Sequence, residues 1–214
     1  MKKRVLGKSN IKVSAMGMGC WGIGGPFLHP THGVIAYGQV KDEESIKAVR
    51  QGLDMGVTLF DTANVYGCGR SERVLGTALK GRRDDIVIAT KFGSTFDMNS
   101  DNPNIPCRST GSDISDQAIR DACDASLERL QTDYIDLYQL HSGRLDLEMA
   151  VNVLDTLEEL VEEGKIRYYG WSTDDPERAA LFAKGKHCTS VQFSHNMTSQ
   201  NYVMIDEVLD KYGI

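Results

Sequence analysis

The chain alternates short apolar segments with amphipathic ones, and this alternation limits its possible folds more than any other feature. Residues 57–60 and 86–90 are apolar runs of strand length. Before the first of them, Ile46, Val49 and Leu53 recur at helical spacing. Such alternation favours a parallel sheet whose strands are joined by right-handed crossovers. Both an open doubly wound sheet and a closed (β/α)8 barrel satisfy it.

The same pattern extends along the whole chain and predicts one domain over residues 1–214. A hairpin is expected at residues 4–14, and a polar segment at 93–111 is expected to form a long loop. The predicted strands are 13–19, 57–60, 86–90, 134–140, 166–171 and 190–193. The predicted helices begin with Asp42, Ser71, Ser115, Leu147, Asp175 and Tyr202.

Composition excludes several classes of protein. The 214 residues carry a formal net charge of −6, and no basic run exceeds three residues, which argues against a nucleic-acid surface. No apolar stretch approaches the length of a membrane span, and no signal peptide is expected. The five cysteines are odd in number and show no metal-type spacing. We therefore predict reduced thiols in a cytoplasmic protein, without a metal site.

A glycine motif near the N-terminus resembles a dinucleotide-binding fingerprint. Residues 17–22 match G-x-G-x-x-G after a predicted strand. That fingerprint requires a helix opening at its third glycine, and residues 23–33 contain too many glycines and prolines for such a helix. The motif is better interpreted as a loop above a strand end.

Polar residues interrupt the apolar strands at their carboxyl ends, where a closed parallel barrel builds its active site. A single polar residue there often marks only the point where a strand leaves the core. Five on successive strands favour a shared site, with a tyrosine five residues after the first of them. These residues are Asp61, Lys91, His141, Ser172 and Gln192, together with Tyr66.

Several of these segments resemble the aldo-keto reductase family. Residues 57–67 and 71–76 resemble its first signature, and residues 126–141 resemble its second. Residues 86–93 are similar to the strand that carries the family's lysine, and residues 164–172 to its fifth strand. The resemblance runs in consistent order along the chain. It implies a (β/α)8 barrel of the TIM type with an N-terminal hairpin.

The resemblance also implies reduction of an aldehyde or ketone with hydride from NAD(P)H. Tyr66 would be the general acid, and Lys91 would lower the pKa of its hydroxyl. Asp61 would pair with Lys91, and His141 would orient the small carbonyl substrate. These four residues match the family's catalytic tetrad without substitution.

The resemblance further assigns residues to the cofactor and the substrate. Ser172, Gln192 and Asp61 would contact the nicotinamide end of NADPH, although NADH is not excluded. Thr173 stands where the family commonly has Asn, so its contact would be a hydroxyl rather than an amide. Trp21 would line the substrate pocket, or equally would pack as a structural residue.

Only six predicted strands are present, where the resemblance implies eight. We therefore expect an incomplete domain, truncated after the sixth βα unit, with open sheet edges that invite self-association. Marginal stability and weak cofactor binding would follow. Two alternatives to an active reductase stay open: a nicotinamide-binding regulatory protein on the same scaffold, and an inactive fragment.

Overall fold

The computed structural model describes residues 1–142 and 146–214 of the chain. Its first element is the predicted hairpin, in which β1 (Lys3–Val5) pairs antiparallel with β2 (Lys12–Ser14). The predicted strand over residues 13–19 is wrong in part. The chain bends at residues 15 and 16 and resumes pairing only at residues 18 and 19.

Further strands and helices then follow along the described chain. The strands are β3 (Met18–Gly19), β4 (Phe27–His29), β5 (Gly33–Ile35), β6 (Leu59–Asp61), β7 (Val87–Phe92), β8 (Ser94–Asp97), β9 (Arg108–Ser112), β10 (Ile135–Leu140), β11 (Ile166–Ser172) and β12 (Cys188–Gln192). The α-helices are α1 (Trp21–Gly24), α2 (Asp42–Asp54), α3 (Arg70–Ala78), α4 (Asp116–Leu130), α5 (Leu147–Glu162), α6 (Pro176–Phe182) and α7 (Asp210–Tyr212). A 3-10 turn lies at Arg83–Asp85 and a π-helical turn at Met204–Leu209.

Six of the strands form one parallel sheet in the order β12-β11-β10-β7-β6-β3. Each strand along the chain is added on the same side of the one before it. Right-handed crossovers in one constant direction place all the connecting helices on one face. This order distinguishes a half-barrel from a doubly wound sheet, whose strand order reverses at a switch point.

The hydrophobic core lies between this sheet and its helices. All residues of β7 and β10 are buried, as expected for parallel strands covered on both faces. The Phe92 and Tyr138 rings stack at 4.5 Å between these two strands. The Trp171 ring on β11 packs at 4.6 Å against Phe182 of α6. The carboxyl ends that present polar side chains are therefore attached to a closely packed core.

Local capping accounts for some helix starts and corrects one prediction. The Ser115 hydroxyl accepts a hydrogen bond from the Ala118 N–H, and Asp175 caps α6 ahead of Pro176, as expected. Ser71 is not an N-cap, because α3 starts one residue earlier, after Gly69. The Ser71 hydroxyl instead donates to the carbonyl of Cys20 at 2.6 Å.

A second sheet, absent from our prediction, covers the carboxyl end of the first. Its four strands lie in the order β5-β4-β9-β8. The predicted loop at residues 93–111 is therefore wrong in part, because residues 94–97 and 108–111 pair as β8 and β9, and only residues 98–107 connect them. Strand β4 then joins β9 through the pair Leu28 and Arg108. Pairing between segments about eighty residues apart leaves no local periodicity to detect.

Two further predictions need correction at the level of single turns. Residues 21–24, which we predicted to be loop, form the short helix α1. The final predicted helix begins at Tyr202 but passes through the π-helical turn before α7. Within the described ranges, no helix combines the length and apolarity that crossing a membrane requires.

Candidate active site

A buried ion pair lies at the carboxyl ends of β6 and β7. The Lys91 Nζ donates to Asp61 Oδ1 at 2.7 Å and to the Thr62 carbonyl at 2.8 Å. Lys91 is only 1% exposed, so its charge depends on these two acceptors for compensation. Parallel pairing of the two strands, with Asp61 opposite Ala89, brings these residues to the same edge.

Tyr66 lies above this pair, in the loop between β6 and α3. The Lys91 Nζ is 5.3 Å from the centroid of the Tyr66 ring. The loop is held by backbone hydrogen bonds, from the Tyr66 N–H to Ala63 and from the Ser71 N–H to the Tyr66 carbonyl. The tyrosine therefore projects from a turn that is tied at both ends.

His141 completes the group from the end of β10. Its ring contacts the Tyr66 ring edge-on, with centroids 5.9 Å apart. Its backbone N–H donates to the Phe92 carbonyl at 2.9 Å, which extends the pairing of β10 with β7. Its Nδ1 is buried and has no hydrogen-bond partner among residues 1–142 and 146–214. The structure thus brings together the four residues that the sequence assigns to catalysis.

The pKa of the Tyr66 hydroxyl shifts in the direction opposite to our expectation. Burial raises the pKa of the Tyr66 hydroxyl well above its ordinary value, and the Asp61 charge raises it further. The net shift of the Tyr66 pKa is therefore upward, whereas we expected a lowering by Lys91, because burial dominates at this site. Burial lowers the pKa of Lys91, and the Asp61 charge opposes that shift.

The histidine is uncharged at neutral pH. Burial, together with the nearby charge of Lys91, lowers the pKa of His141 to about 4. A neutral imidazole presents one donor and one acceptor nitrogen. His141 can therefore donate a single hydrogen bond to an oxygen without adding a second positive charge beside Lys91.

A cavity of about 340 Å³ opens beside Tyr66 and Lys91. It is lined by three of the four residues that the sequence assigns to cofactor contact, which lie at the ends of β11 and β12: Ser172, Thr173 and Gln192. The fourth, Asp61, is not among the lining residues. The Gln192 Nε2 donates to Asp61 Oδ2 at 3.1 Å, and its Oε1 accepts from Gln139 at 3.3 Å. The side-chain amide of Gln192 is thereby held in one orientation.

These lining groups fit one end of a nicotinamide cofactor. Hydroxyl and amide groups are suited to the donors and acceptors of a carboxamide. Among the described lining residues, the cations are limited to Lys91, which Asp61 already neutralises. The cavity therefore suits an amide-bearing ring, and its described lining supplies no second cation to pair with phosphates.

A second cavity, of about 530 Å³, is also lined by Tyr66, here together with His141. Trp21 lines it, 37% exposed, with its ring 6.2 Å from that of Tyr66 and 4.9 Å from that of Tyr37. Our sequence reasoning missed most of the other lining residues, which come from the second sheet and the adjoining loops: Phe27, His29, Pro30, Ile35, Val65, Ser94, Ser109, Gly111 and Ser112. The unusual length of the segment at 93–111 was the one signal pointing to them.

The cysteines also differ from expectation. Cys68 and Cys107 are joined in a disulfide, so the prediction that all thiols are reduced is wrong. Periodicity does not reveal that residues 39 positions apart meet in the second sheet. Cys20 is buried next to the Lys91–Asp61 pair, and burial raises the pKa of its thiol to about 12. It is therefore a poor nucleophile.

Comparison with known proteins gives consistent matches over nearly the whole chain. The sequence model of the Aldo/keto reductase family matches residues 15–214. The chain is 34% identical over 196 residues to "Uncharacterized oxidoreductase YqkF" of Bacillus subtilis (strain 168), covering 91% of this chain and 56% of that protein. Overall, the chain spans about half the length of the curated relatives it matches, with shares of 56%, 45% and 54%.

Solved structures of aldo-keto reductases also superpose on this chain. Aldo-keto reductase AKR11C1 from Bacillus halodurans, in its holo form, superposes with a TM-score of 0.83 at 32% identity, covering 100% of this chain and 64% of that one. An aldo-keto reductase from Klebsiella pneumoniae, solved in complex with NADPH, superposes with a TM-score of 0.72 at 30% identity, covering 100% and 66%.

Proposed function

Because this chain belongs to the aldo-keto reductase family, we propose that it reduces an aldehyde or ketone to an alcohol using NAD(P)H. One observation supports this most directly: Tyr66 lines both cavities. A proton donor at that boundary reaches a carbonyl held on one side while a reduced nicotinamide lies on the other. The reduced cofactor, when bound, supplies the hydride.

Residues of this chain would donate the proton and stabilise the charge that remains. Tyr66 is protonated at neutral pH, and the rise of its pKa on burial keeps it so; it donates to the carbonyl oxygen. The Lys91 ammonium stabilises the negative charge that develops on the tyrosine oxygen, and Asp61 holds that ammonium in place. Neutral His141 donates a hydrogen bond to the substrate oxygen and orients it.

Ser172, Thr173 and Gln192 would hold the cofactor by its carboxamide, in the smaller cavity. The carboxylate of Asp61 contributes by fixing the Gln192 amide. We propose NADPH as the preferred cofactor, since a similar protein from Klebsiella pneumoniae was solved with it. A comparison of NADPH with NADH as the varied substrate tests that choice.

The general acid is tested by Tyr66→Phe, which removes one hydroxyl and keeps the ring. We expect the variant to lose at least about a hundredfold in carbonyl reduction, followed as NADPH absorbance with a panel of aldehydes and ketones. NADPH affinity, measured by fluorescence titration, should stay within a factor of about two. Tyr37→Phe is the matched control, because that hydroxyl belongs to an exposed tyrosine next to Trp21. Full turnover by the Tyr66 variant would show that another group supplies the proton.

The same two measurements separate the alternatives. A nicotinamide-binding regulatory protein would bind NADPH and leave every carbonyl in the panel unreduced. An inactive fragment would neither bind nor reduce. A wild-type chain that reduces an aldehyde, with activity that disappears in the Tyr66 variant, excludes both.

We also propose that the six parallel strands are six of the eight strands of a (β/α)8 barrel, within a single domain over residues 1–214. The high structural similarity to longer reductase chains supports this. If it is correct, the 214-residue chain binds NADPH weakly, because the cavity described above suits only the nicotinamide end. Micromolar binding of NADPH to a monomer of this chain would contradict the proposal.

A further inference from the structure

The Cys68–Cys107 disulfide connects the loop that carries Tyr66 to the wall of the larger cavity. Cys68 lies two residues after Tyr66, between β6 and α3. Cys107 immediately precedes β9, whose Ser109 and Gly111 line the cavity. The bond therefore joins the proposed proton donor's loop to the surface that would face the substrate.

Both cysteines are fully buried, at the place where the Tyr66 loop, β4 and β9 come together. They pack in one apolar cluster with Phe27 and Val65, which themselves line the cavity. The carbonyl of Cys107 accepts a hydrogen bond from the Leu28 N–H at 3.0 Å. The disulfide thus also lies next to β4, and a shift at Cys107 would move β4 and β9 together.

Besides the apolar cluster and the Leu28–Cys107 hydrogen bond, two polar ties hold this junction among the described residues. Strands β4 and β9 are paired only at Leu28 and Arg108 within the described residues. On the loop side, the Asn64 Nδ2 donates to the Ser94 carbonyl at 2.9 Å, at the start of β8. The apolar cluster and the pairing of β8 with β9 add to these ties. The disulfide is the covalent link between the Tyr66 loop and the strand β9, so we expect it to affect the position of β9 relative to that loop.

We propose that Cys68 and Cys107 form a redox latch on the larger cavity. In the disulfide form the second sheet is held against the Tyr66 loop. The bond is buried, so a small dithiol reduces it when the loop and the second sheet separate locally. One dithiolate sulfur attacks a cysteine sulfur, the Cys68–Cys107 bond breaks, and the second dithiol sulfur resolves the mixed disulfide. Two protons and two electrons pass to the protein, which gains two thiols, and the dithiol becomes a cyclic disulfide. Without the bond, the second sheet is no longer held against the Tyr66 loop, and the larger cavity can widen.

The effect should fall on the cavity more than on the proton donor. Tyr66 keeps its backbone hydrogen bonds to Ala63 and Ser71 when the latch opens. Trp21 lines the cavity and reports on its state, whereas the other tryptophan, Trp171, is buried in the main core. A change in tryptophan fluorescence on reduction therefore originates at Trp21, and the variant Trp21→Phe should not show it.

The first test needs no turnover. Denatured wild-type protein should contain three free thiols before treatment with dithiothreitol and five after it. Native protein should change its tryptophan emission on reduction, and Cys68→Ala/Cys107→Ala should not respond. Cys123→Ala is the matched control, because it removes a buried cysteine that is not in the disulfide and should respond as the wild type does. Five thiols in untreated protein, or a native disulfide that dithiothreitol cannot reach, would overturn the latch.

The second test measures kinetics and rests on the proposed function. Reduction of the wild type should raise KM for the carbonyl substrate roughly fivefold or more, with kcat changed less than about twofold. A purely structural disulfide would lower the unfolding midpoint while leaving both Trp21 emission and KM unchanged, and that result would also overturn the proposal. Reduction of the wild type provides the answer even if the double variant does not fold. Loss of turnover in every form would refute the proposed function, and the thiol and fluorescence results would still decide on the latch.

Discussion

At the residue scale, the site is organised around one buried ammonium. Lys91 lies almost entirely out of contact with solvent and is compensated by the Asp61 carboxylate and the Thr62 carbonyl. Burying a charge is costly unless it is paired, and removing one partner leaves the other uncompensated. The Asp61–Lys91 pair should therefore affect stability as well as the proposed chemistry.

Asp61→Asn tests this dependence, because it removes the negative charge and keeps the shape. We expect the free energy of unfolding to fall by about 3 kcal/mol, measured by urea denaturation at neutral pH. Asp85→Asn is the control, since Asp85 pairs with Arg82 on the surface and its loss should cost less than about 1 kcal/mol. Equal effects of the two substitutions would show that Lys91 is compensated by other means.

His141 predicts a pH dependence of stability. Its pKa is about 4 in the folded protein and 6.5 ordinarily, so the unfolded chain binds more protons between these values. Stability contributed by the neutral imidazole is therefore complete above pH 6.5 and is lost as the pH falls toward 4. The loss should be on the order of 3 kcal/mol. His141→Gln should lose less stability over that interval, and identical pH profiles for the two proteins would contradict the assignment.

At the element scale, the Tyr66 loop depends on a close approach to α1. Gly67 has a φ of +57°, and a Cβ there would lie 1.9 Å from the Gly24 carbonyl oxygen. Gly24 in turn faces the backbone of Tyr66, at distances below 3 Å for an added Cβ. Glycine at both positions lets the two backbones touch, and this contact fixes Tyr66 relative to Trp21 on the short helix.

Gly67→Ala should accordingly destabilise the protein by about 3 kcal/mol or more, combining left-handed strain with backbone overlap. Gly81→Ala is a close control, because Gly81 also has a positive φ, of +79°, but has nothing within 4 Å of an added Cβ. That variant should lose only about 1–2 kcal/mol. Both free energies are measured by denaturant unfolding. Equal losses would show that the loop moves to accommodate the added Cβ, so that the contact with Gly24 does not constrain it.

At the scale of the whole molecule, the parallel sheet has two outer strands. β3 and β12 each pair on one side only among the described strands, which leaves backbone donors and acceptors for another chain. We predict concentration-dependent self-association of the 214-residue chain, detectable by sedimentation velocity. A strictly monomeric species at all accessible concentrations would contradict this. A single cooperative unfolding transition in the same sample would support one domain.

The sequence alone was sufficient for the repeating architecture and for grouping the strand-end residues that the structure brings together, but not for most residues that line the larger cavity. Apolar strands covered on both faces and amphipathic helices have distinct periods, so their alternation is visible locally. Parallel strands in one sheet present their carboxyl ends at one edge, so Asp61, Lys91 and His141 could be grouped without coordinates. The family motifs added Tyr66, and the strand-end pattern together with those motifs assigned Ser172 and Gln192 to the same edge.

Tertiary structure alone decided the second sheet, the Cys68–Cys107 bond and the direction of the Tyr66 pKa shift. The first two depend on pairing between segments far apart in sequence, where short strands such as β4 and β5 have no periodicity of their own. The third depends on how deeply one hydroxyl is buried and which charge lies nearest. Burial and charge proximity are sums over three-dimensional neighbours, and a linear sequence does not specify those neighbours.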